Sequence, residues 1–429
     1  MVGPHPSRAV IEASQLEQLR SLVAELFPAN AFYTRKLSAA GITFDVGSLE
    51  DFSERFPFTT KPEVVEDQRV HPPFGTNLTY PLDRYTRFHQ TSGTTGIPLR
   101  WLDTPESWEW MLESWAEVYR ATGVTASDRI YFAFSFGPFL GFWMAFEAGA
   151  RLGALCIPGG GVGSAARLCA IIDNSATVLC CTPTYALRLA EVAAQEQIDL
   201  RRARVKTIIV AGEPGGSVPG IRARLAALWP GARLFDHHGM TEVGPVTHEC
   251  PARPGVLHVI ESAYYAEVID PGTQRAVAPN QAGELVLTPL GRTGSPLLRY
   301  RTGDLVKAEQ NGSPCVCGRN DLALVGGILG RTDDMIVVRG VNVYPSAVEE
   351  ILHATESVAE YRVRISEVQS LIEMSIQIEP RPECTDTAAL VERLENSFQA
   401  NLSLRVPVTL VPFGTLPRFE MKARRWVRE

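Results

Sequence analysis

The chain has 429 residues, 45% of them hydrophobic and 21% charged, which suits two or three globular domains and excludes a disordered chain or a coiled coil. Lys plus Arg number 41 against 48 for Asp plus Glu, a net charge of -7, so no general attraction for nucleic acid or an anionic membrane is expected. Eight scattered cysteines are too few to staple a chain of this size and read as reduced, with a metal site among them left open. No apolar leader follows Met1. The uncharged stretch 130–146 is broken by Ser135, Gly137, Pro138 and Gly141, so a buried strand, a turn and a buried helix are expected there rather than a membrane span. The expected location is cytoplasmic.

In chain order, Leu16, Leu19, Leu22, Val23, Leu26 and Phe27 fall at helical spacing, and Ser14 with Glu17 predicts a capping box at the start of a helix over 14–27. A loop rich in Pro and Thr leads to a dense Gly/Thr run within 87–98. Short apolar runs at 154–157, 177–181 and 207–210 then predict buried strands, with helices over 165–172 and 185–194 between them. That alternation predicts an α/β layer with a mostly parallel sheet. From about Gly255, strand-like runs at 266–269, 283–287 and 304–307 predict a β-rich subdomain. After a polar run at 330–334, a strand over 335–338, a helix over 345–353, two strand-like runs and a helix over 387–398 predict a terminal α+β unit. The expected division is a large N-terminal domain, 1–330, and a small mobile C-terminal domain, 331–429.

Chemistry concentrates in a few segments. Gly93 and Gly96 let the backbone approach an anion, while the hydroxyls of Thr91, Ser92, Thr94 and Thr95 can donate to phosphate oxygens. The P-loop spacing is absent, with Ile97 in the place of its lysine, and alone such a run more often describes an ordinary loop. Further segments accompany it. Ala211, Gly212, Glu213 and Pro214 follow a predicted buried strand, where α/β sheets present ligand loops. Asp236, His237, His238, Gly239, Met240, Thr241 and Glu242 come next. Then follow a Tyr-Arg-Thr-Gly-Asp run ending at Asp304, a Gly-Arg-Thr-Asp run holding Arg331 and Asp333, and a terminal run, 416–425, holding Lys422.

Together and in this order, these segments resemble the adenylate-forming superfamily of acyl-CoA synthetases over nearly the whole chain. The length and the run Val341-Asn-Val-Tyr-Pro345 are similar to its phenylacetate-CoA ligase branch. The resemblance implies that a carboxylate attacks the α-phosphate of ATP, releasing pyrophosphate and leaving an acyl-adenylate that coenzyme A captures. It assigns Ser92, Gly93, Thr94, Thr95 and Gly96 to the β- and γ-phosphates. Gly212, Glu213, Pro214, the run 236–241, Asp304 and Arg331 complete the ATP site, with Asp304 and Arg331 at the ribose. Glu242 would hold Mg²⁺, a hard cation that favours carboxylate oxygen. Lys422 would place an ammonium between the acid and the α-phosphate, where charge develops in the transition state. Asp333 matches the hinge about which the small domain rotates, withdrawing Lys422 and admitting the thiol. The catalytic set is thus Lys422, Glu242, Thr95, Arg331 and Asp333. Two departures stand out: His238 replaces an aromatic residue and Ile97 a basic one, so weaker ATP binding is expected.

The resemblance places Phe134, Phe136, Phe139, Ala211, Gly212, His237 and Pro245 around the acid, with Phe134 and Phe139 as walls for a planar ring. Gly137, Gly141 and Gly212 would leave room for that ring, and His237 could meet a ring hydroxyl or amine. On sequence alone three phenylalanines at this spacing more often describe plain core. Cys250, His258, Cys315 and Cys317 offer three thiolates and an imidazole, a set that suits tetrahedral zinc. A subset of phenylacetate-CoA ligase-like proteins, including deazaflavin-cofactor adenylating enzymes, shows a similar arrangement. By that likeness a structural zinc is expected, with His248 as the reserve fourth ligand. The expected partners are a small aryl acid and a thiol, with a homodimer implied by relatives rather than by any surface pattern. Two alternatives remain at this level. The adenylate could pass to an amine or phenol instead of coenzyme A, or the chain could be a silent nucleotide-binding protein, against which Thr95, Glu242, Asp304, Arg331 and Lys422 stand.

Overall fold

In the computed structural model, which describes residues 5–42, 45–91, 98–309, 313–332, 336–339, 341–368, 371–419 and 425–428, the chain is a mixed α/β protein. Helix α1 (Arg8–Leu26) buries Ile11, Leu19, Leu22, Val23 and Leu26 along one stripe, with Gln15 inside it. It starts well before Ser14 because Ile11 and Gln15 extend that stripe backward. The Gln15 amide donates to the carbonyl of Tyr264 at 2.8 Å, which satisfies a polar group in the core. Ser14 is therefore an exposed mid-helix residue and not a cap. Helices α2 (Ala31–Ala39), α3 (Leu49–Arg55) and α4 (Lys61–Val70) follow. The start of α4 is fixed by Glu63, whose carboxylate accepts from the Thr60 backbone at 2.7 Å.

Strands β1 (Arg87–Gln90) and β2 (Arg100–Asp103) form an antiparallel hairpin that leads into α5 (Pro105–Thr122). A βα series then runs β3 (Arg129–Phe132), α6 (Trp143–Leu152), β4 (Leu155–Pro158), α7 (Ser164–Asp173), β5 (Val178–Cys181), α8 (Pro183–Gln195), β6 (Thr207–Val210), α9 (Pro219–Leu228) and β7 (Arg233–Asp236). Its strands pair in parallel in the order β4-β3-β5-β6-β7. The apolar runs of β5 and β6 are buried on both faces. Val178, Cys180 and Ile209 join one core, and Leu179, Cys181, Ile208 and Val210 another on the opposite face. The uncharged stretch 130–146 is indeed β3, a turn and the start of α6. Among the described residues, no helix is long and apolar enough to cross a membrane.

Next come β8 (Gly239–Met240), β9 (Gly244–Pro245), β10 (Thr247–Glu249), β11 (Val256–Val259), β12 (Tyr264–Ile269), β13 (Ala282–Pro289), β14 (Tyr300–Lys307), β15 (Ala323–Val325) and β16 (Gly330–Arg331). Among the described residues these strands form three antiparallel sheets, β8-β9, β10-β11-β15 and β12-β13-β14-β16. The C-terminal α+β unit comprises β17 (Ile336–Val338), β18 (Val341–Val343), α10 (Pro345–His353), β19 (Val358–Val368), β20 (Leu371–Pro380), α11 (Thr387–Leu402), β21 (Val408–Leu410) and β22 (Trp426–Arg428). Its sheet has the order β21-β20-β19-β22 and its own core around Leu390, Leu394 and Phe398.

The C-terminal unit sits on α9, where a Cβ added at Gly220 would lie 3.1 Å from the backbone nitrogen of Ala354. A cavity of about 30 Å³ at this seam is lined by Arg188, Glu191, Arg224, His353, Glu360 and Arg425, among others. Arg224 donates to Glu191 at 3.3 Å, while its buried Nε has no partner among the described residues.

Candidate active site

Parallel strands present their loops at their C-terminal ends, and β6 and β7 end side by side. The first residue past β7, His237, donates its backbone N–H to Val210 at 2.9 Å. Asp236 is held from within: Ser217 donates to its carboxylate at 2.6 Å and the His237 N–H at 3.0 Å, and burial pushes its pKa up. In the loop after β6, Glu213 accepts from the Thr184 N–H in the first turn of α8 at 2.8 Å. Gly212 and Pro214 are exposed.

Side chains from two separate motifs converge on the carboxylate of a third. Asp304 in β14 is buried and faces Arg331 across the β14–β16 pairing, with Arg331 NH1 3.1 Å from Oδ1. His238 Nε2 lies 3.3 Å from its Oδ2. Gly303 must be glycine here: its φ is +76°, and a Cβ would come within 2.8 Å of the Arg331 guanidinium.

Glu242 is buried, and Lys61 Nζ lies 3.1 Å from its carboxylate. The Lys61 pairing went unread in the sequence; the Thr60/Glu63 box marks the start of α4 but carries no sign of a partner so far along the chain. The segment before Lys61 is bridged to β14, with the Thr59 N–H donating to Arg299 at 3.0 Å and the Arg301 N–H to Thr59 at 2.9 Å. Arg292 fixes the backbone on the other side: its NH1 donates to the carbonyls of Thr241 at 2.8 Å and Glu242 at 2.7 Å. Its Nε and NH2 form a fork on Asp103 at 2.7 and 2.8 Å, and both side chains are fully buried. Met240 and Thr241 are half-buried beside this pair.

Ser92, Gly93, Thr94, Thr95, Gly96 and Ile97 lie outside the described residues, as do Asp333 and Lys422. The base of the Gly/Thr loop is described. The Thr91 N–H donates to Leu99 at 2.9 Å, and the Gln90 N–H donates to Pro138 at 2.7 Å. That second bond ties β1 to the loop carrying the phenylalanines.

A chain of ring contacts joins the residues assigned to the acid. Phe136 meets Phe134 at 5.9 Å, Phe134 meets Phe142 at 5.2 Å, and Phe142 meets Trp115 at 6.1 Å. Trp115 in turn stands edge-on to His237 at 4.2 Å. Trp115 and Phe142 are buried in the main core, and within an amphipathic helix and an apolar run no motif marks their contacts with Phe134 and His237. Phe139 lies instead against Gly137, its ring 3.2 Å from where a Cβ would sit. Gly141 makes room for the Phe134 ring, which would be 2.3 Å from a Cβ there, so the space it leaves is filled by protein. Ala211 is half-buried at the edge of the core, and Pro245 is buried and paired with Gly239 between β8 and β9. His237 is buried and its Nδ1 lies 2.6 Å from the Thr247 carbonyl oxygen.

The ligand atoms of Cys250, His258, Cys315 and Cys317 all lie within 4.8 Å of one another. Cys250 and Cys315 sulfurs are 3.7 Å apart, and Cys317 Sγ is 3.4 Å from His258 Nε2. A regular tetrahedron with metal–sulfur bonds of about 2.3 Å has edges of about 3.8 Å, so these spacings fit zinc. His258 Nδ1 is 3.2 Å from the Asp321 carbonyl oxygen, which puts the proton on Nδ1 and turns the Nε2 lone pair to the cluster. His248, opposite His258 in the β10–β11 register, stands outside the cluster.

Residues 87–289 match the family model described as AMP-binding enzyme, and residues 340–429 match the AMP-binding enzyme C-terminal domain. The chain is 32% identical to the phenylacetate-coenzyme A ligase of Thermus thermophilus, across 96% of this chain and 95% of that protein. It superposes on 2-hydroxyisobutyryl-CoA ligase in the postadenylation state, in complex with R3-HIB-AMP, with a TM-score of 0.93 at 29% identity, covering 99% of this chain and 91% of that one. Against the same ligase with 2-HIB-AMP and CoA in the thioesterification state the TM-score is 0.75 at 30% identity, again over 99% and 91%. The fold, the ordered motifs and this likeness place the chain in the adenylate-forming superfamily of AMP-forming acid–thiol ligases, in its phenylacetate-CoA ligase-like branch.

Proposed function

We propose that the protein activates an aromatic carboxylic acid as its acyl-adenylate and then transfers the acyl group to coenzyme A. The observation that carries the aromatic reading is the run of rings from Phe134 through Phe142 and Trp115 to His237, which ends at the nucleotide motif. Flat apolar walls favour a flat apolar ligand. Transfer to coenzyme A is supported by the phenylacetate-CoA ligases and by the CoA-bound relative.

In this reading ATP enters above Asp304, whose carboxylate accepts the ribose hydroxyls as His238 and Arg331 give way. Mg²⁺ supplies charge neutralisation on the phosphates, and Glu242 is the residue that would hold it. Lys61, whose Nζ lies 3.1 Å from that buried carboxylate, would stand beside the ion and share its place at Glu242. Thr95 and its neighbours receive the departing pyrophosphate, and Lys422 bridges acid and α-phosphate. The small domain, 331–429, turns about Asp333 between the half-reactions. The higher TM-score with the postadenylation relative supports an arrangement on the adenylate side of that turn.

Pyrophosphate release from ATP and Mg²⁺ over a panel of benzoates, phenylacetates and aliphatic acids, with and without CoA, tests the proposal. An aryl acid should give the fastest turnover and a CoA thioester by mass. Release without CoA, with an amide or cyclised product accumulating, would overturn the acceptor.

The Cys/His cluster would hold structural zinc. Cys250 follows β10, and β10 holds the nucleotide motif through Thr247 and Glu249, so the metal would brace that motif. After exhaustive dialysis about one zinc per chain is expected, falling severalfold in Cys317→Ser. Zinc far below one per chain in the unmodified protein would remove the assignment.

A further inference from the structure

His237 sits where the run of rings meets the nucleotide motif. Its Nδ1 lies 2.6 Å from the Thr247 carbonyl oxygen, and a carbonyl only accepts, so Nδ1 carries the proton. Burial pushes the imidazole pKa down to about 3, so the ring takes no second proton near neutrality. Nε2 is left as a bare lone pair. No donor among the described residues reaches it. The nearest ring, Trp115, leaves its own indole N–H buried without an acceptor, so it is not the missing donor. The nitrogen is also kept uncovered. It lies 3.3 Å from where a Cβ on Gly239 would stand, so any side chain there would crowd it.

We propose that His237 Nε2 accepts a hydrogen bond from an amino or hydroxyl group on the ring of the acid, so that the substrate is an aryl acid bearing a ring donor. The inference rests on the aryl-acid reading above and narrows it. Phe134, Phe142 and Trp115 have no acceptor to offer, so a ring donor bound beside this run of rings would pair at His237. An unsubstituted ring would instead leave the lone pair dry, and a buried polar atom without its partner weakens binding several-fold to a hundredfold. A methoxy group presents a lone pair to a lone pair and should be rejected more strongly than a hydrogen at the same position.

ATP–pyrophosphate exchange decides it on the intact protein, with benzoate and its amino, hydroxy and methoxy derivatives at each ring position. The best amino or hydroxy acid should exceed benzoate in kcat/KM by about 10- to 100-fold, and its methoxy counterpart should fall below benzoate. In His237→Leu, which keeps the bulk and removes the acceptor, that ratio should collapse to within about threefold. His237→Gln, whose amide oxygen accepts, should restore part of it. Equal use of donor-bearing and plain benzoates by the unmodified protein would overturn the inference while leaving the aryl reading standing. So would a ratio unchanged in His237→Leu. Aliphatic acids outrunning every aryl acid would overturn both. The panel on the unmodified protein stands alone should a variant fail to fold.

Discussion

Replacing Arg292 with methionine is expected to destabilise the large domain by about 3–5 kcal/mol, read as a lowered denaturant midpoint. The guanidinium is fully buried and uses its planar fork on Asp103 and its remaining nitrogen on two carbonyls. Methionine fills much of the space but leaves Asp103 as an unpaired charge and two carbonyls unsatisfied. Arg292→Lys should recover little, because a single ammonium cannot serve a fork and two carbonyls together. Arg292→Met combined with Asp103→Leu should be more stable than Arg292→Met alone, since removing both charges removes the uncompensated one. The folded fraction should still lose pyrophosphate exchange, because the carbonyl of Glu242 is one of those left loose. A loss of stability under about 1 kcal/mol would show that this buried fork is not what holds the segment.

Asp304→Asn is expected to lower kcat/KM for ATP by about 10²- to 10³-fold while leaving the fold intact. The change is isosteric but removes the charge that two basic side chains surround. An amide offers one acceptor where a ribose diol asks for two, and it removes the charge that Arg331 NH1 faces at 3.1 Å. The loss should appear in the KM for ATP, with the KM for the acid nearly unchanged. The reverse pattern would mean that Asp304 serves the acid and not the nucleotide.

Much of the fold was legible because its signals are local. Strands β5 and β6 are apolar runs bounded by turn residues, and burial on both faces leaves them no other reading. The start of α1 was misread since a buried glutamine broke the apolar pattern, and only the Tyr264 carbonyl explains why Gln15 belongs in the core. Strand β14 begins at Tyr300, ahead of the expected 304, because Arg301, Thr302 and Gly303 look like a turn until Thr302 is seen bonding Leu285. In the site, Asp304, Arg331 and His238 were each found as members of separate motifs. Their meeting depends on a strand register that no short segment encodes. Lys61 and Arg292 carry no motif at all; each is defined by a partner brought close only by the folded chain. Trp115 and Phe142 belong to the buried core, and their contacts with Phe134 and His237 exist only in the folded chain.

The seam between α9 and the C-terminal unit, with arginines and glutamates around its small cavity, has one more implication. Charged groups that part regain the hydration they gave up, so separation returns much of what docking supplied. An aliphatic seam would lose about 25 cal/mol for every Å² wetted on opening, with nothing returned. The charged part of this seam, with Arg188, Glu191, Arg224, Glu360 and Arg425, is therefore close to indifferent to whether water or protein fills it, while Leu187, Leu352, Val358 and Phe419 beside it favour the docked state. In the proposed turn between half-reactions, those charged groups would lower the cost of lifting the C-terminal unit from α9.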